Sequence, residues 1–266
     1  MREKIDNFHS SLQPYFDKKY RDMPWRELPN DAVLRFYQVL VSELMLQQTQ
    51  VSRVIDKYSQ WMVAFPTLDS LSKASFSDVL ATWSGLGYSR RARYLHEISK
   101  QITPEHLPIA IEELTIYKGI GSNTAGAVLA YYANTPTIFI ETNIRTVLFH
   151  HFFNDVDTVD DKQLYDLLST LVDQTRPRLW YWAMMDYGTE LKKNIRNISK
   201  SKHYRKQTAF EGSDRQLRSR LLHRLLSGAL KIEDALLCVE SKAYIIDALC
   251  RERMIVCVDS MYMLPD

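Results

Sequence analysis

The chain has 266 residues, which is enough for a sizeable core and for two or three compact units. Its 8 glycines and 9 prolines are too few for an all-β protein, and with a formal net charge of +2 any nucleic-acid partner must be held through local clusters of charge. No apolar run is long enough to span a bilayer and the N-terminus has no signal-peptide core, so we expect a cytoplasmic protein without membrane contact. The cysteines, Cys238, Cys250 and Cys257, form no disulfide framework and fit a reducing compartment.

The first predicted elements lead to an apolar helix. Residues 4–20 carry apolar side chains at helical spacing and predict an amphipathic helix. Residues 23–26 (M-P-W-R) predict an extended segment, because Pro24 disfavours helix before it. Asp31 is a candidate N-cap for a helix through about Thr49 that is apolar around most of its circumference.

Glu43 lies inside this apolar helix. A carboxylate there is costly unless it is paired or protonated, and the alternative is a glutamate at the helix margin that faces solvent. Gln47 lies one turn away on the same face, and Gln48 and Thr49 extend the polar patch. Further helices are predicted at about 51–64, 76–82 and 89–102.

The stretch 114–147 has three parts. Gly119 and Gly121 predict a tight turn whose N–H groups point outward at a helix N-terminus, which suits a phosphate, although an ordinary turn between helices is the alternative. Residues 124–132, rich in alanine and glycine, predict a helix that another element approaches closely. An apolar run at 138–140 then brings Glu141 to the start of a helix over 144–153, where Thr142 or Asn143 can act as the N-cap.

The last third of the chain carries a helix pair over 164–187, a basic segment and a separate module. The basic segment from 189 to 206 either contacts phosphate or is a solvated charge run. Residues 210–213 mark a boundary. The part that follows looks like a winged helix, with helices predicted at 214–227, 232–237 and 241–252 and a hairpin over 254–264. The arginines of this part either bind DNA or solubilise the module.

Collinear motifs resemble one protein family. S-E-L-M-L-Q-Q-T-Q-V at 42–51 closely resembles the signature of MutY-type adenine DNA glycosylases, and P-W-R at 24–26 resembles the same family. W-S-G-L-G-Y-S-R-R-A-R at 83–93 matches the family's W-x-G-L-G-Y-Y-x-R-A-R pattern almost residue for residue. G-I-G-S-N-T-A at 119–125 resembles the helix-hairpin-helix of DNA repair glycosylases. The resemblance runs from about Pro24 to Gly188.

The resemblance implies an all-α fold, a two-lobed helix-hairpin-helix glycosylase core with a small C-terminal winged-helix-like module. We expect a six-helix lobe with the helix-hairpin-helix over 31–140. A helical lobe of 1–30 plus 141–208 would replace the family's iron–sulfur lobe, and the module would span 211–266. The active site is expected in the cleft between the lobes. The implied partner of this monomeric, nucleoid-associated protein is double-stranded DNA with a mismatch or lesion, whose target base is flipped out.

The family's functional positions carry over to this sequence. Glu43 looks like the general acid, Glu141 like the carboxylate that stabilises the sugar cation, and Asn143 like its catalytic neighbour. An apolar helix predicts a raised pKa for Glu43, and a helix N-terminus predicts an ionised Glu141. Arg26 and Asn123 look like residues of the base pocket. Gln47, Gln48 and Tyr88 look like the DNA wedge that contacts the opposite base. The expected phosphate-binding residues are Gly119, Gly121, Ser122, Lys192, Lys193, Arg196 and Lys202.

Departures from the family pattern refine the function. Glu141 stands where the family keeps an aspartate, and Asn123 stands where bifunctional relatives keep a Schiff-base lysine, which predicts a monofunctional enzyme without a lyase step. No cysteine follows Gly188 in the segment where the family keeps its cluster ligands, so we expect neither an iron–sulfur cluster nor another metal or cofactor. No Nudix-like domain for 8-oxoguanine is expected. The predicted function is removal of adenine mispaired with 8-oxoguanine or guanine; the alternatives are a thymine/uracil mismatch glycosylase of the same fold and a non-catalytic DNA-binding protein.

Overall fold

The protein is described here by a computed structural model, which covers residues 2–17, 21–195, 197–202 and 209–265. These residues are mostly helical and include one small three-stranded sheet, which confirms the all-α class. No helix in the described part of the chain is both long enough and apolar enough to cross a membrane.

The helices and strands follow in chain order. The helices are α1 (Arg2–Asp17), α2 (Ala32–Leu46), α3 (Val51–Ala64), α4 (Leu68–Ser72), α5 (Phe76–Trp83), α6 (Arg90–Ser99), α7 (Ile111–Thr115), α8 (Ser122–Tyr132), α9 (Thr142–Phe152), α10 (Asp161–Leu171), α11 (Pro177–Asn194), α12 (Asp214–Leu225), α13 (Ile232–Cys238) and α14 (Ala243–Arg251). The strands are β1 (Leu230–Lys231), β2 (Val256–Val258) and β3 (Met261–Met263). Short 3₁₀ turns occupy Pro24–Arg26 and Ile198–Lys200.

The chain divides into two compact units. Unit 1 comprises Met1–Leu28, Pro108–Ile116 and Ile120–Lys206, and unit 2 comprises Pro29–Leu107, Tyr117–Gly119 and Gln207–Asp266. Residues 120–140, which were expected in the lobe over 31–140, group with unit 1. The division into three domains at 140 and 211 stays a prediction.

Helix α2 forms the centre of unit 2. The Asp31 side chain caps it by accepting a hydrogen bond from Leu34 N at 2.7 Å, as the sequence predicts. The helix is apolar around most of its circumference, and Tyr37 on it is fully buried. The Tyr37 hydroxyl donates to Phe65 O at 2.6 Å and accepts from Trp61 Nε1 at 2.9 Å, so its polar atom is satisfied inside the core.

Helices α9 and α11 pack tightly in unit 1, and glycine makes this possible. A Cβ on Gly188 of α11 would lie 2.4 Å from Asn143 O at the start of α9, so the two backbones touch there. Gly126 of α8 likewise lies against Phe139, where a Cβ would be 3.0 Å from the Phe139 Cβ. These contacts fix the extended segment before Glu141 and the start of α9 against α8 and α11.

Two local expectations near the functional positions are wrong. Pro24–Arg26 form a 3₁₀ turn rather than an extended segment, because the fixed φ of a proline suits the first position of a helical turn. Helix α9 begins at Thr142 with Glu141 as its N-cap, without a side-chain cap hydrogen bond, so neither Thr142 nor Asn143 is the cap. The carboxylate therefore lies directly at the helix start.

The C-terminal part of unit 2 contains α12, α13, α14 and the sheet, in the strand order β1-β3-β2. The hairpin between β2 and β3 turns at Asp259 and Ser260, which have φ values of 47° and 61°, as a two-residue turn with two left-handed residues requires. Strand β1 is absent from the sequence prediction, because two residues are too short to give a periodic signal.

Candidate active site

Glu43 lies in the middle of α2 and is 9% exposed. Its neighbours along the helix, from Phe36 to Met45, are almost all buried and apolar. The expectation of a carboxylate inside the apolar helix, rather than at a solvated margin, therefore agrees with its burial. Such a carboxyl group is held by a stiff helix interior, so its position depends little on flexible loops.

Arg91 organises the region around the end of α2, a role that no sequence pattern predicts. It is 5% exposed, and burial lowers the pKa of its guanidinium to about 10. Its guanidinium donates hydrogen bonds to the carbonyls that end α2 and to the loop before α6: Leu44 O at 2.7 Å, Met45 O at 2.9 Å, Gln47 O at 2.5 Å, Leu86 O at 3.3 Å and Gly87 O at 3.0 Å. The only signal in the sequence is its place in the R-R-A-R run.

The three predicted wedge residues lie on the segments that Arg91 holds together. Gln47 Nε2 donates to Gly119 O at 3.1 Å, which ties the end of α2 to the glycine turn. Gln48 and Tyr88 adopt left-handed backbone conformations with φ values of 55° and 48°. Such conformations cost roughly 1–3 kcal/mol each and persist only where the surroundings impose them, and they cluster at functional sites.

Of the two glycines in the predicted phosphate-binding turn, Gly119 alone has a backbone conformation that favours glycine. Gly119 has φ +89°, and a Cβ on it would lie 2.3 Å from the Tyr94 ring. Gly121 is the N-cap of α8, and a Cβ placed on it would meet no atom within 4 Å. Ser122 begins the helix and is exposed. The first N–H groups of α8 are thus accessible to an anion.

Glu141 and Lys192 form a charged pair at the start of α9. Burial raises the pKa of the Glu141 carboxyl, and the nearby Lys192 ammonium opposes this shift. Burial lowers the pKa of Lys192, and Glu141 opposes that shift in turn. Lys192 Nζ also donates to the Thr142 hydroxyl at 3.0 Å. This corrects the expected electrostatics of Glu141: a helix start alone does not keep the buried carboxyl in its usual range, and Lys192 supplies the opposing charge.

Asn123 and Asn143 lie on either side of Glu141 in unit 1. Asn123 Oδ1 accepts from Ile140 N at 3.0 Å and from the Tyr165 hydroxyl at 2.9 Å. It therefore fixes the backbone that immediately precedes Glu141. Asn143 is half-buried beneath Gly188. The assignment of Asn123 to a base pocket stays a prediction, while its observed contacts support Glu141.

Arg26 makes a buried ion pair. Its guanidinium donates to both carboxylate oxygens of Asp186 on α11, at 2.7 Å and 2.9 Å, and Arg21 Nε reaches the same carboxylate at 2.6 Å. The Asp186 side chain is 1% exposed, so this pair anchors the N-terminal arm on α11. Asp186 has no role in the sequence analysis, and the pocket assignment of Arg26 stays a prediction.

The basic residues after Gly188 differ in their surroundings. Lys193 is exposed, whereas the Lys192 amine lies beside Glu141. Lys202 Nζ forms an ion pair with Asp160 at 3.1 Å. Arg196 lies outside the described residues. The predicted phosphate contacts of this segment stay a prediction, and Lys192 is the member that the fold places at the candidate catalytic carboxylate.

An iron–sulfur cluster does not fit the segment after Gly188. Such a cluster is held by cysteine thiolates, and residues 189–207 contain no cysteine. The segment instead packs through other groups: Asn197 Nδ2 donates to Thr146 O at 3.0 Å, and Lys200 Nζ donates to Phe153 O and Asn154 O at the end of α9. These contacts hold residues 197–202 against α9.

Comparison with known proteins identifies the family. The profile described as "HhH-GPD superfamily base excision DNA repair protein" matches residues 41–174. A Mycolicibacterium smegmatis protein named adenine DNA glycosylase is 33% identical over 234 residues, which cover 79% of this chain and 78% of that protein. The chain belongs to the HhH-GPD superfamily of base excision DNA repair proteins. The match contains Glu43, Tyr88, the glycine turn and Glu141, so it confirms the resemblance inferred from the motifs.

Other relatives of this HhH-GPD protein are longer. The adenine DNA glycosylase of Mus musculus is 38% identical over 194 residues, which cover 69% of this chain and 38% of that protein. The chain thus spans well under half the length of this relative. Among solved structures, a thermostable thymine-DNA glycosylase has a TM-score of 0.61 at 22% identity and covers 70% of this chain and 87% of its own. A trapped endonuclease III–DNA intermediate has a TM-score of 0.59 at 14% identity, covering 71% and 87%. At these identities the two structures support the fold.

Proposed function

We propose that this protein is a monofunctional DNA N-glycosylase that removes adenine mispaired with 8-oxoguanine or guanine. The observation that carries the proposal is the pair of carboxyl groups in contrasting surroundings: Glu43 inside an apolar helix, and Glu141 at a helix start beside Lys192. The similarity to proteins named adenine DNA glycosylase supports adenine as the base.

The chemistry requires two groups with different charges. Cleavage of an N-glycosidic bond turns adenine into a leaving group and leaves an oxocarbenium-like sugar. In the proposal, Glu43 protonates the departing base as a general acid. Glu141, whose ionised form the Lys192 ammonium favours against the effect of burial, stabilises the positive charge on the sugar, and water completes the hydrolysis.

The same proposal assigns the binding of DNA. The target nucleotide must leave the base stack, because its glycosidic bond is inaccessible inside a duplex. Gln47, Gln48 and Tyr88 would fill the gap and contact the opposite base, and the N-terminus of α8 would bind a phosphate through Gly121 and Ser122. The left-handed backbones at Gln48 and Tyr88 support a functional role for the wedge.

Excision assays on a panel of duplexes test the function. Duplexes that pair A, T or U with G or with 8-oxoguanine are incubated with excess protein, and base release is followed with alkali treatment to reveal abasic sites. We expect release of adenine opposite guanine and opposite 8-oxoguanine. The DNA strands should stay intact until alkali is added, because Asn123 cannot form an imine. Release of thymine or uracil instead would indicate the alternative specificity. Tight binding to the duplexes without any release would contradict the enzymatic proposal.

A further inference from the structure

Helix α12 contacts the loop that carries Tyr88. Arg215 on this helix donates a hydrogen bond to the Tyr88 hydroxyl, and its guanidinium carbon lies 5.4 Å from the centre of the Tyr88 ring. The guanidinium of Arg91 lies 5.5 Å from the same ring centre. Two arginines from different helices thus hold one tyrosine, whose backbone is itself in the left-handed region.

A second set of contacts fixes α12 beside this loop. Glu252, which follows α14, forms an ion pair with Arg218 of α12. The same carboxylate lies 3.4 Å from the guanidinium of Arg90, the first residue of α6. Arg90 is two residues after Tyr88. Leu222 of α12 and Trp83 line one groove together with Gly85 and Gly87. The Arg215 contact is therefore one part of a packed junction, rather than an isolated surface pair.

The junction explains how Tyr88 keeps its unfavourable conformation. A non-glycine residue with φ of 48° is retained only where its surroundings over-determine it. Arg91, inside the region that the family profile matches, supplies one constraint. Arg215, which lies beyond residue 174 where that match ends, supplies another. A residue outside the family motif thus holds a residue inside it.

We propose that Arg215 is a positioning residue for Tyr88, and that α12 thereby takes part in reading the base opposite the excised adenine. The inference rests on the proposed function, because that function makes Tyr88 a wedge residue. Loss of the Arg215 contact leaves the Tyr88 ring free to leave the wedge position, so insertion at the mismatch weakens. The basic helix then serves the enzyme through a contact inside the protein, in addition to any attraction of its charges for DNA.

Fluorescence of 2-aminopurine tests the inference without requiring excision. The fluorescent base is placed next to the base opposite an uncleavable adenine analogue, where insertion of a wedge unstacks it and raises its emission. The variants are Arg215→Gln, Tyr88→Phe, which removes the hydroxyl alone, and the double variant. Arg220→Gln is the matched control, since Arg220 lies on the same helix and pairs with the exposed Glu240. Arg215→Lys keeps the charge without the planar fork and provides a second variant.

We expect Arg215→Gln and Tyr88→Phe each to reduce the fluorescence rise, with no further loss in the double variant and none in Arg220→Gln. Excision of adenine should fall about tenfold in Arg215→Gln, the scale of one hydrogen bond to a charged group, while thermal stability stays within the range of the control. Arg215→Lys should show an intermediate loss.

The other outcomes distinguish a failure of the inference from a failure of the proposed function, except where the duplex is not bound at all. A normal rise in Arg215→Gln, or losses that add in the double variant, would overturn the positioning role. Excision of adenine by the wild type without any fluorescence rise would overturn the inference and leave the proposed function intact. If the variants change the fluorescence as expected but the wild type releases no adenine, the inference is supported and the proposed activity is contradicted. Failure to bind the duplex would overturn both.

Discussion

Glu43 and Glu141 are two carboxyl groups that the chain positions by different means. Glu43 lies in the interior of one apolar helix and is 9% exposed. Glu141 lies at a helix start whose geometry depends on two other helices, α8 and α11: Asn123 of α8 fixes the residue before it, while on α11 Gly188 allows close contact with α9 and Lys192 supplies a positive charge. The comparison indicates that the first group depends on local structure and the second on long-range contacts.

The difference bears on the exchange of aspartate for glutamate at position 141. A longer side chain must be accommodated by the elements around it, and the Lys192 ammonium, which donates to the adjacent Thr142 hydroxyl, supplies a positive charge that acts on the carboxylate. Gly188 and Lys192 are four residues apart on α11, so they share one face of the helix. The close approach at Gly188 therefore brings Lys192 to the start of α9.

The largest expected effect belongs to the locally positioned group. Glu43→Gln preserves the shape of the side chain and removes the proton donor, so single-turnover excision of adenine should fall by at least ~10²-fold, the scale of general acid catalysis. Affinity for the duplex should be little changed, because phosphate contacts dominate it. Rapid-quench kinetics and a binding titration measure the two quantities.

Near-wild-type excision by Glu43→Gln would contradict the role of Glu43 as the general acid and leave it as a buried structural residue. The variant is informative only if it folds, which its thermal unfolding curve shows. A loss of stability equal to the loss of activity would point to packing as the cause.

A smaller and pH-dependent effect is expected at Lys192. Burial raises the pKa of Glu141 and Lys192 lowers it, so Lys192→Met raises that pKa further. Excision requires the ionised carboxylate, which exists above its pKa and is lost as pH falls through it. The acidic limb of the pH–rate profile should therefore move to higher pH, with a loss of about tenfold at pH values on that limb and recovery as the pH rises above it.

Lys193→Met is the matched control, because Lys193 is the next residue and is exposed. It should leave the position of the acidic limb unchanged. If both variants instead lower DNA affinity at every pH and reduce its salt dependence alike, Lys192 is a phosphate ligand, as the basic run alone suggests. That result would separate Glu141 from its proposed partner.

Local patterns predicted much of the fold and part of the candidate site. The helix over 51–64 and the cap at Asp31 follow from periodicity and capping chemistry within a few residues, and both are found. Arg26 and Asp186, or Tyr88 and Arg215, are separated by more than a hundred positions, and no local pattern pairs them. The basic run after Gly188 indicates only uniform charge, yet the fold places Lys192 at a carboxylate and Lys202 on Asp160. These differences arise from tertiary contacts, which also determine how Glu141 differs from Glu43.

The separate roles of the two carboxyl groups are tested most directly by changing the leaving group. The duplex carries either adenine or 2-fluoroadenine, whose electron-withdrawing fluorine makes departure less dependent on protonation. Single-turnover excision of both bases is measured for the wild type, Glu43→Gln and Glu141→Gln. We predict that the loss caused by Glu43→Gln shrinks on 2-fluoroadenine, because a better leaving group needs less acid assistance, while the loss caused by Glu141→Gln stays the same. An equal loss on the two bases in Glu43→Gln would contradict the assignment of Glu43 as the acid, and a loss in Glu141→Gln that shrinks on 2-fluoroadenine would contradict the assignment of Glu141 as the stabilising anion.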